Sequence, residues 1–269
     1  MKIFDERCIV IDERVVRMPD RYFCEVVDIE KLTDNIFSII VVAGCLAREA
    51  RPGQFLHIKC GEKRFLRRPI SISTIRGESI GFVFEVKGEG TRWLSEREPG
   101  QNLDMLGPLG NGFTYPDGSI IVVGGGLGAP PMLFAAESAK NGVTAILGFR
   151  DSGRLIMAEE FSDVCDAVYI TTEDGSAGQQ GLVTAPLEEL LIAGGYEAVM
   201  SCGQLGMQRS VAELCRQYGV PCQVSLEERM GCGVGACLVC ACATVIDGVE
   251  QMSRVCADGP VFNADEVVW

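Results

Sequence analysis

SIIVVGGGLGAPPMLFAAESAK, residues 119–140, runs from an apolar strand through a glycine turn into a helix. That order opens a βαβ unit, and in a parallel sheet the turn after such a strand is where dinucleotides bind. Pro130 and Pro131 suit the first helical turn, where a missing N–H costs nothing. Gly124, Gly125, Gly126 and Gly128 form the turn, but not at Gly-x-Gly-x-x-Gly spacing, so pattern alone leaves a nucleotide loop and a plain structural turn equally open. Downstream, TAILGFR (144–150), AVYITTED (167–174) and EAVMSCG (197–203) are short apolar strands alternating with helical stretches, which predicts a parallel sheet over 117–220. Met207, Val211, Leu214, Cys215 and Tyr218 recur at helical spacing. They place Gln208, Arg209, Glu213, Arg216 and Gln217 on the outer face of a helix that Gly219 ends.

Upstream of this unit the pattern differs. RYFCEVVDIE (21–30), NIFSIIVVA (35–43), QFLHIKC (54–60), PISIS (69–73) and SIGFVFEVKG (79–88) are extended segments separated by Gly, Pro and Asp/Asn, which predicts a small antiparallel barrel over 1–116. Within it, LRRPISIS (66–73) and FVFEVKGEGTRWLSE (82–96) offer an arginine for a pyrophosphate, a serine for a flavin ring, and Gly88, Gly90 and Thr91 for close phosphate approach at a short helix. Solvated arginines and an ordinary hairpin turn account for the same pieces.

After Pro221 the chain reads as a Cys/Gly-rich lobe, 221–269, with little regular pattern. Five of the thirteen cysteines fall between Cys232 and Cys256. Cys232, Cys237, Cys240 and Cys256 stand at C-x4-C-x2-C-x15-C, the plant-ferredoxin type of spacing for a [2Fe-2S] cluster. Gly231, Gly233, Gly235 and Ala236 supply a backbone that can wrap closely around sulfur. A structural zinc site usually uses two C-x2-C pairs, and only one is present. Cys242 is read as a small core residue, as are the eight cysteines from Cys8 to Cys222.

The bulk properties narrow the function. A net charge of −13 would repel phosphate backbones and anionic headgroups, which argues against nucleic acid and membrane partners. No apolar run approaches a spanning helix and the charged N-terminus is unlike a signal peptide, so the cytoplasm is expected. His57 is the only histidine, and it reads as packed or surface-exposed rather than catalytic. One histidine cannot furnish a Ser/His/Asp arrangement; redox transfer remains.

Taken together, RRPISIS, KGEGT, GPLGNGF, GGGLGAPP, TTEDGS and SLEERMGCGVGACLVCAC resemble the ferredoxin-reductase superfamily, most closely the electron-transfer subunits of NAD-dependent dihydroorotate dehydrogenases. The similarity runs from about residue 20 to the end, and the first eighteen or so residues stand as an extension without a role. The resemblance implies an FAD-binding β-barrel, an NAD-binding α/β domain and a C-terminal [2Fe-2S] lobe. It implies that Arg68, Pro69, Ile70 and Ser71 line the flavin, that Val83, Phe84 and Glu85 hold it along the next strand, and that Gly90 with Thr91 holds pyrophosphate. Gly124, Gly125, Gly126 and Gly128 would bind NAD, and Cys232, Cys237, Cys240 and Cys256 would ligate the cluster; no catalytic side chain is implied. The superfamily often has Arg-x-Tyr-Ser where this chain has Arg68-Pro69-Ile70-Ser71, and Cys-Gly-Pro where it has Cys202-Gly203-Gln204. The implied partner is an FMN-containing catalytic subunit, two copies of each chain assembling together, and electrons from dihydroorotate would reach NAD through the cluster and FAD. Arg150 and Arg154 are outweighed by Asp151, Glu173 and Asp174, which predicts NAD over NADP. The alternatives are a related ferredoxin or polysulfide reductase subunit, or a zinc-stabilised binding module.

Overall fold

The computed structural model describes residues 8–11, 14–17, 20–62 and 64–269. β1 (Cys8–Ile11) and β2 (Arg14–Arg17) form a separate antiparallel hairpin within the segment read as an extension. The strands β3 (Arg21–Lys31), β4 (Ile36–Val42), β5 (Phe55–Ile58), β6 (Arg68–Arg76), β7 (Ser79–Glu85) and β8 (Asn102–Leu109) close a barrel in the order β3-β4-β7-β6-β5-β8. Alternate residues point inward, as the pleat requires: Cys24 and Val26, Ile39 and Val41, Ile70 and Ile72, Ile80, Phe82 and Phe84, Leu103 and Met105 make one core. Leu46 of α1 (Cys45–Glu49) and Leu94 of α2 (Glu89–Ser95) join that core.

β8 was not foreseen, since Gly107-Pro108 interrupts its apolar alternation. It nevertheless closes the barrel by pairing with both β3 and β5. Asp104 holds that seam. Its carboxylate accepts from Arg21 Nη2 at 2.7 Å and from Arg67 Nη2 at 2.8 Å, while Arg67 Nη1 donates to the carbonyls of Asp104 and His57. Burial would raise the Asp104 pKa, but the two guanidinium groups outweigh it and lower the value.

The second half forms a seven-stranded sheet from β9 (Ile120–Gly125), β10 (Val143–Phe149), β11 (Ala167–Thr172), β12 (Gln179–Gln180), β13 (Ala198–Cys202) and β14 (Cys222–Ser225), with a last strand near the C-terminus. α3 (Ala129–Glu137), α4 (Ala158–Val164), α5 (Thr184–Ala193) and α6 (Leu205–Tyr218) connect the strands. β9 lies between β10 and β13, so the chain order reverses there, and a crevice opens at the carboxyl ends of β9 and β13.

Three expectations need correction. The terminal segment is not irregular: β14 extends the parallel sheet, β15 (Ala241–Ile246) and β16 (Val249–Arg254) form a hairpin, and β17 (Val261–Asn263) returns antiparallel to β14. Gln208 does not face outward on α6; it is buried because its amide Nε2 reaches the carbonyls of Gly203 at 2.7 Å and Ser225 at 3.0 Å. Among the scattered cysteines Cys45 is exposed and Cys165 half-buried, whereas Cys24, Cys60, Cys202, Cys215 and Cys222 are buried; the side chain of Cys8 lies outside the described residues. None of the described helices is long and apolar enough to cross a membrane.

Candidate functional site

The loop from Met230 to Cys240 turns its backbone amides onto sulfur. Val234 N–H and Ala236 N–H donate to Cys232 Sγ at 3.4 and 3.2 Å, Cys232 N–H to Cys237 Sγ at 3.4 Å, Gly235 N–H to Cys256 Sγ at 3.1 Å, and Cys256 N–H to Cys240 Sγ at 3.4 Å. All four cysteines expected as ligands are thus brought together by one shell of donors. Burial works to raise the Cys232 pKa, but the amides of Val234, Cys237 and Ala236 outweigh it and bring the thiol down to about 7. Donors aimed at sulfur favour thiolate, the form that binds iron.

The thiols interact as two pairs, Cys232 with Cys237 and Cys240 with Cys256. Among the described residues no three His, Cys, Asp or Glu side chains converge as they would around one metal ion. Cys232 and Cys237 lie on the outer side, while Cys240 and Cys256 are buried. Arg254 clamps the loop, donating from Nη1 to the Gly235 carbonyl at 3.1 Å while its Nε and Nη2 bind the Asp258 carboxylate. Cys242 points elsewhere. It sits on β15 opposite Ser253, packs against the sheet core, and its pKa is pushed up to about 11 by burial first.

Next to the loop lies a cavity of about 240 Å³ whose walls include Arg68, Pro69, Ile70, Ser71, Val83, Phe84, Glu85 and Thr91. Two adjacent barrel strands and α2 therefore bring eight of the expected flavin residues to one cleft. Gly90 lies beneath the Arg68 side chain, where a Cβ would come within 2.6 Å of the guanidinium. Thr91 accepts from Lys87 N–H at 2.9 Å through Oγ1, so it closes the turn from inside α2 rather than capping it from outside. The far wall of this cleft was not foreseen: Leu127 and Pro131 come from the nicotinamide turn, and Leu226, Glu227 and Met230 from the approach to the cluster loop.

A second cavity, of about 480 Å³, opens at the β9/β13 crevice and is lined by Gly125, Gly126 and Gly128 together with Arg150, Arg154, Glu173, Gly203 and Met207. Gly124 stays outside its wall, packed where a Cβ would lie 2.6 Å from Ala129 Cα. Cys202 also lies behind the wall, buried, its thiol pKa pushed up to about 12 by burial. Arg154 approaches Glu85 at 3.8 Å and Asp151 at 3.9 Å, so part of the positive charge read there is already countered. Glu85, Lys87, Leu127 and Glu227 border both cavities, which therefore adjoin. Glu227 projects into it; the surrounding protein raises its pKa by desolvation, against the opposing charge of Lys87.

His57 completes the arrangement and was not expected at a site. It is 1% exposed, and its imidazole packs on the cluster loop, where a Cβ on Gly233 would fall 2.5 Å from Nδ1. Burial, then Arg67, push its pKa down to about 4, so the ring is neutral at ordinary pH.

Comparison with known proteins agrees with this geometry. Residues 227–268 match the iron-sulfur cluster binding domain of dihydroorotate dehydrogenase B. The chain is 42% identical to the dihydroorotate dehydrogenase B (NAD(+)) electron transfer subunit of Caldanaerobacter subterraneus subsp. tengcongensis over 82% of this chain and 89% of that one. It is 37% identical to the corresponding subunit of Desulforamulus reducens over 91% and 97%. Among solved structures, the NADH-dependent reduced ferredoxin-NADP oxidoreductase studied for flavin-based electron bifurcation aligns with TM-score 0.82 and 32% identity, over 92% of this chain and 90% of that one. With relatives this similar over most of its length, the chain belongs to the family of dihydroorotate dehydrogenase B electron transfer subunits.

Proposed function

We infer that the chain takes electrons from the FMN of a dihydroorotate dehydrogenase catalytic subunit and delivers them to NAD, in an assembly of two copies of each subunit. Its cofactors are FAD, one [2Fe-2S] cluster and NAD. When bound, the cluster carries single electrons, and the flavin converts them to the pair that leaves as hydride.

The observation that supports this reading best is the adjacency of the three sites. Met230, at the start of the cluster loop, borders the flavin cleft, and that cleft shares Leu127 and Glu227 with the wall of the nicotinamide cavity. Cys232, Cys237, Cys240 and Cys256 would hold the cluster, and Arg68 and Thr91 the FAD pyrophosphate. Pro69, Ile70, Ser71, Val83, Phe84 and Glu85 would orient its ring, while Gly125, Gly126 and Gly128 admit NAD and Gly124 seats the helix behind them. Leu238 and Val239, between two of the ligands, are 64% and 56% exposed. Apolar side chains presented next to the outer thiols suit a protein surface that must come close for one-electron transfer.

The pure chain, assayed with dihydroorotate and NAD, should show no turnover, and adding the FMN subunit should restore it. With NADH and an artificial acceptor the chain alone should be active. Robust dihydroorotate oxidation without the partner would overturn the reading. No gain on adding it would favour a ferredoxin-linked reductase, the class of the aligned oxidoreductase structure.

A further inference from the structure

His57 lies in β5 with Phe55, Leu56 and Ile58 around it, a setting in which an aliphatic side chain would pack without penalty. Instead the position holds an imidazole whose two nitrogens are buried and lack any hydrogen-bond partner. Protein interiors rarely leave such groups unpaired, and when they do an absent ligand, ion or water is a usual reason. The ring is aimed at the cluster loop: Nδ1 lies 2.5 Å from where a Gly233 Cβ would be, and the backbones of Arg67 and Cys232 are close by without hydrogen-bond geometry. Gly233 has φ +74°, so both its backbone and its missing side chain suit the approach of a flat ring. On the other side, β5 pairs with β6 so that His57 stands opposite Pro69 in the wall of the flavin cleft.

We propose that His57 is a positioning residue for the [2Fe-2S] cluster: its ring N–H donates into the Cys232–Gly233 segment of the loaded loop and ties that loop to the flavin-bearing strand pair. The inference rests on the cluster assignment made above. A neutral imidazole has one N–H to give, and a donor near the sulfur shell stabilises the more negative, reduced cluster. Replacing His57 by a residue with no donor therefore lowers the cluster's reduction potential, and it also loosens one face of the loop.

Because the chain has a single histidine, ring-15N histidine labels this site alone. The untagged holo chain, labelled and reduced under anaerobic conditions, should show one imidazole 15N coupling to the cluster in pulsed EPR. In His57→Leu the coupling disappears, and the cluster's one-electron equilibrium should shift about tenfold toward the oxidised form, 59 mV lower. His57→Gln, which keeps an amide donor, should recover part of that shift, and unchanged FAD content in both variants shows an intact barrel. A visible cluster without ring coupling, or a His57→Leu potential equal to the parent's, overturns the proposal and leaves the cluster assignment standing. Absence of any iron-sulfur signal in the parent chain overturns both. Should His57→Leu fail to fold, the labelled parent chain still decides the matter.

Discussion

In the cluster lobe all four proposed sulfur ligands come from one continuous segment, Cys232 to Cys256, and backbone amides of that same segment point at them. In the adjoining cleft no segment suffices. Its walls draw on β6, β7, the turns after β7 and β9, the end of β13 and the approach to the cluster loop. A covalent metal site must state its ligand spacing in the sequence, whereas a cleft that grips a ligand through shape is defined only after distant strands are assembled. The contrast predicts that single changes in the lobe act all or none, and that changes in the cleft act in graded steps.

The largest effect should come from the ligands. Replacing Cys232, Cys237, Cys240 or Cys256 singly by Ser should take bound iron from about two per chain toward none, with bleaching of the visible spectrum. Cys242→Ser should keep the cluster, since this thiol packs into the sheet core. Iron analysis of anaerobic preparations decides it; a cluster that survives Cys256→Ser but not Cys242→Ser would break the contrast.

Two glycines of the nicotinamide turn test the graded side. At Gly128 a Cβ would lie 2.1 Å from the Cys202 carbonyl oxygen, and a central strand cannot yield easily. Gly128→Ala should cost about 3 kcal/mol, the upper part of the overpacking range. Gly126 has φ +54° with nothing near its missing Cβ, so Gly126→Ala should cost only about 1 kcal/mol, the strain of a left-handed residue. Denaturant midpoints of the two variants should separate accordingly, and equal midpoints would contradict the close packing of this turn.

The same contrast explains what could be read in advance. The five apolar barrel strands and the parallel strands around the glycine turn are local signals that correspond to observed elements, and the cysteine spacing is a signal equally local. β8 was hidden because Gly107 and Pro108 weaken a strand pattern, although Leu103, Met105 and Leu109 still alternate inward. The β15–β16 hairpin did carry a signal, Asp247-Gly248, whose residues take φ +53° and +78° as such a two-residue turn requires. Gln208 and His57 were beyond local reading. A polar side chain goes inside only when distant carbonyls or a distant loop receive it, and neither Ser225 nor Gly233 can be placed beside them from the sequence.

Arg68 measures the strength of one cleft contact. Its guanidinium lies over Gly90 beside Thr91, and a charge-assisted contact with pyrophosphate is worth on the order of 1.5 to 3 kcal/mol. Arg68→Ala should weaken FAD binding roughly 10- to 150-fold, by the conversion of 1.4 kcal/mol per decade. Fluorescence titration of the flavin-free chain measures this; unchanged affinity would remove Arg68 from the site.

An effect well below that of the ligands is expected at the barrel seam, where β8 joins β3 and β5. Asp104 is buried to 10% side-chain exposure between β3 and β5, and Arg67, itself 19% exposed, donates to both its carboxylate and its carbonyl. Because the folded-state pKa is lowered, this contribution is complete above the ordinary carboxylate range and is lost as pH falls through the depressed folded value. Asp104→Asn keeps the shape but removes the charge that Arg21 and Arg67 face. It should lower the urea midpoint for flavin release at pH 7 by an amount equivalent to about 1 to 2 kcal/mol. It should also flatten the acid decline of that midpoint relative to the parent chain, while cluster absorbance at pH 7 stays unchanged. If the variant shows the parent's full acid sensitivity, the seam is not where the barrel senses pH, and the charge network of Arg21, Arg67 and Asp104 contributes only packing.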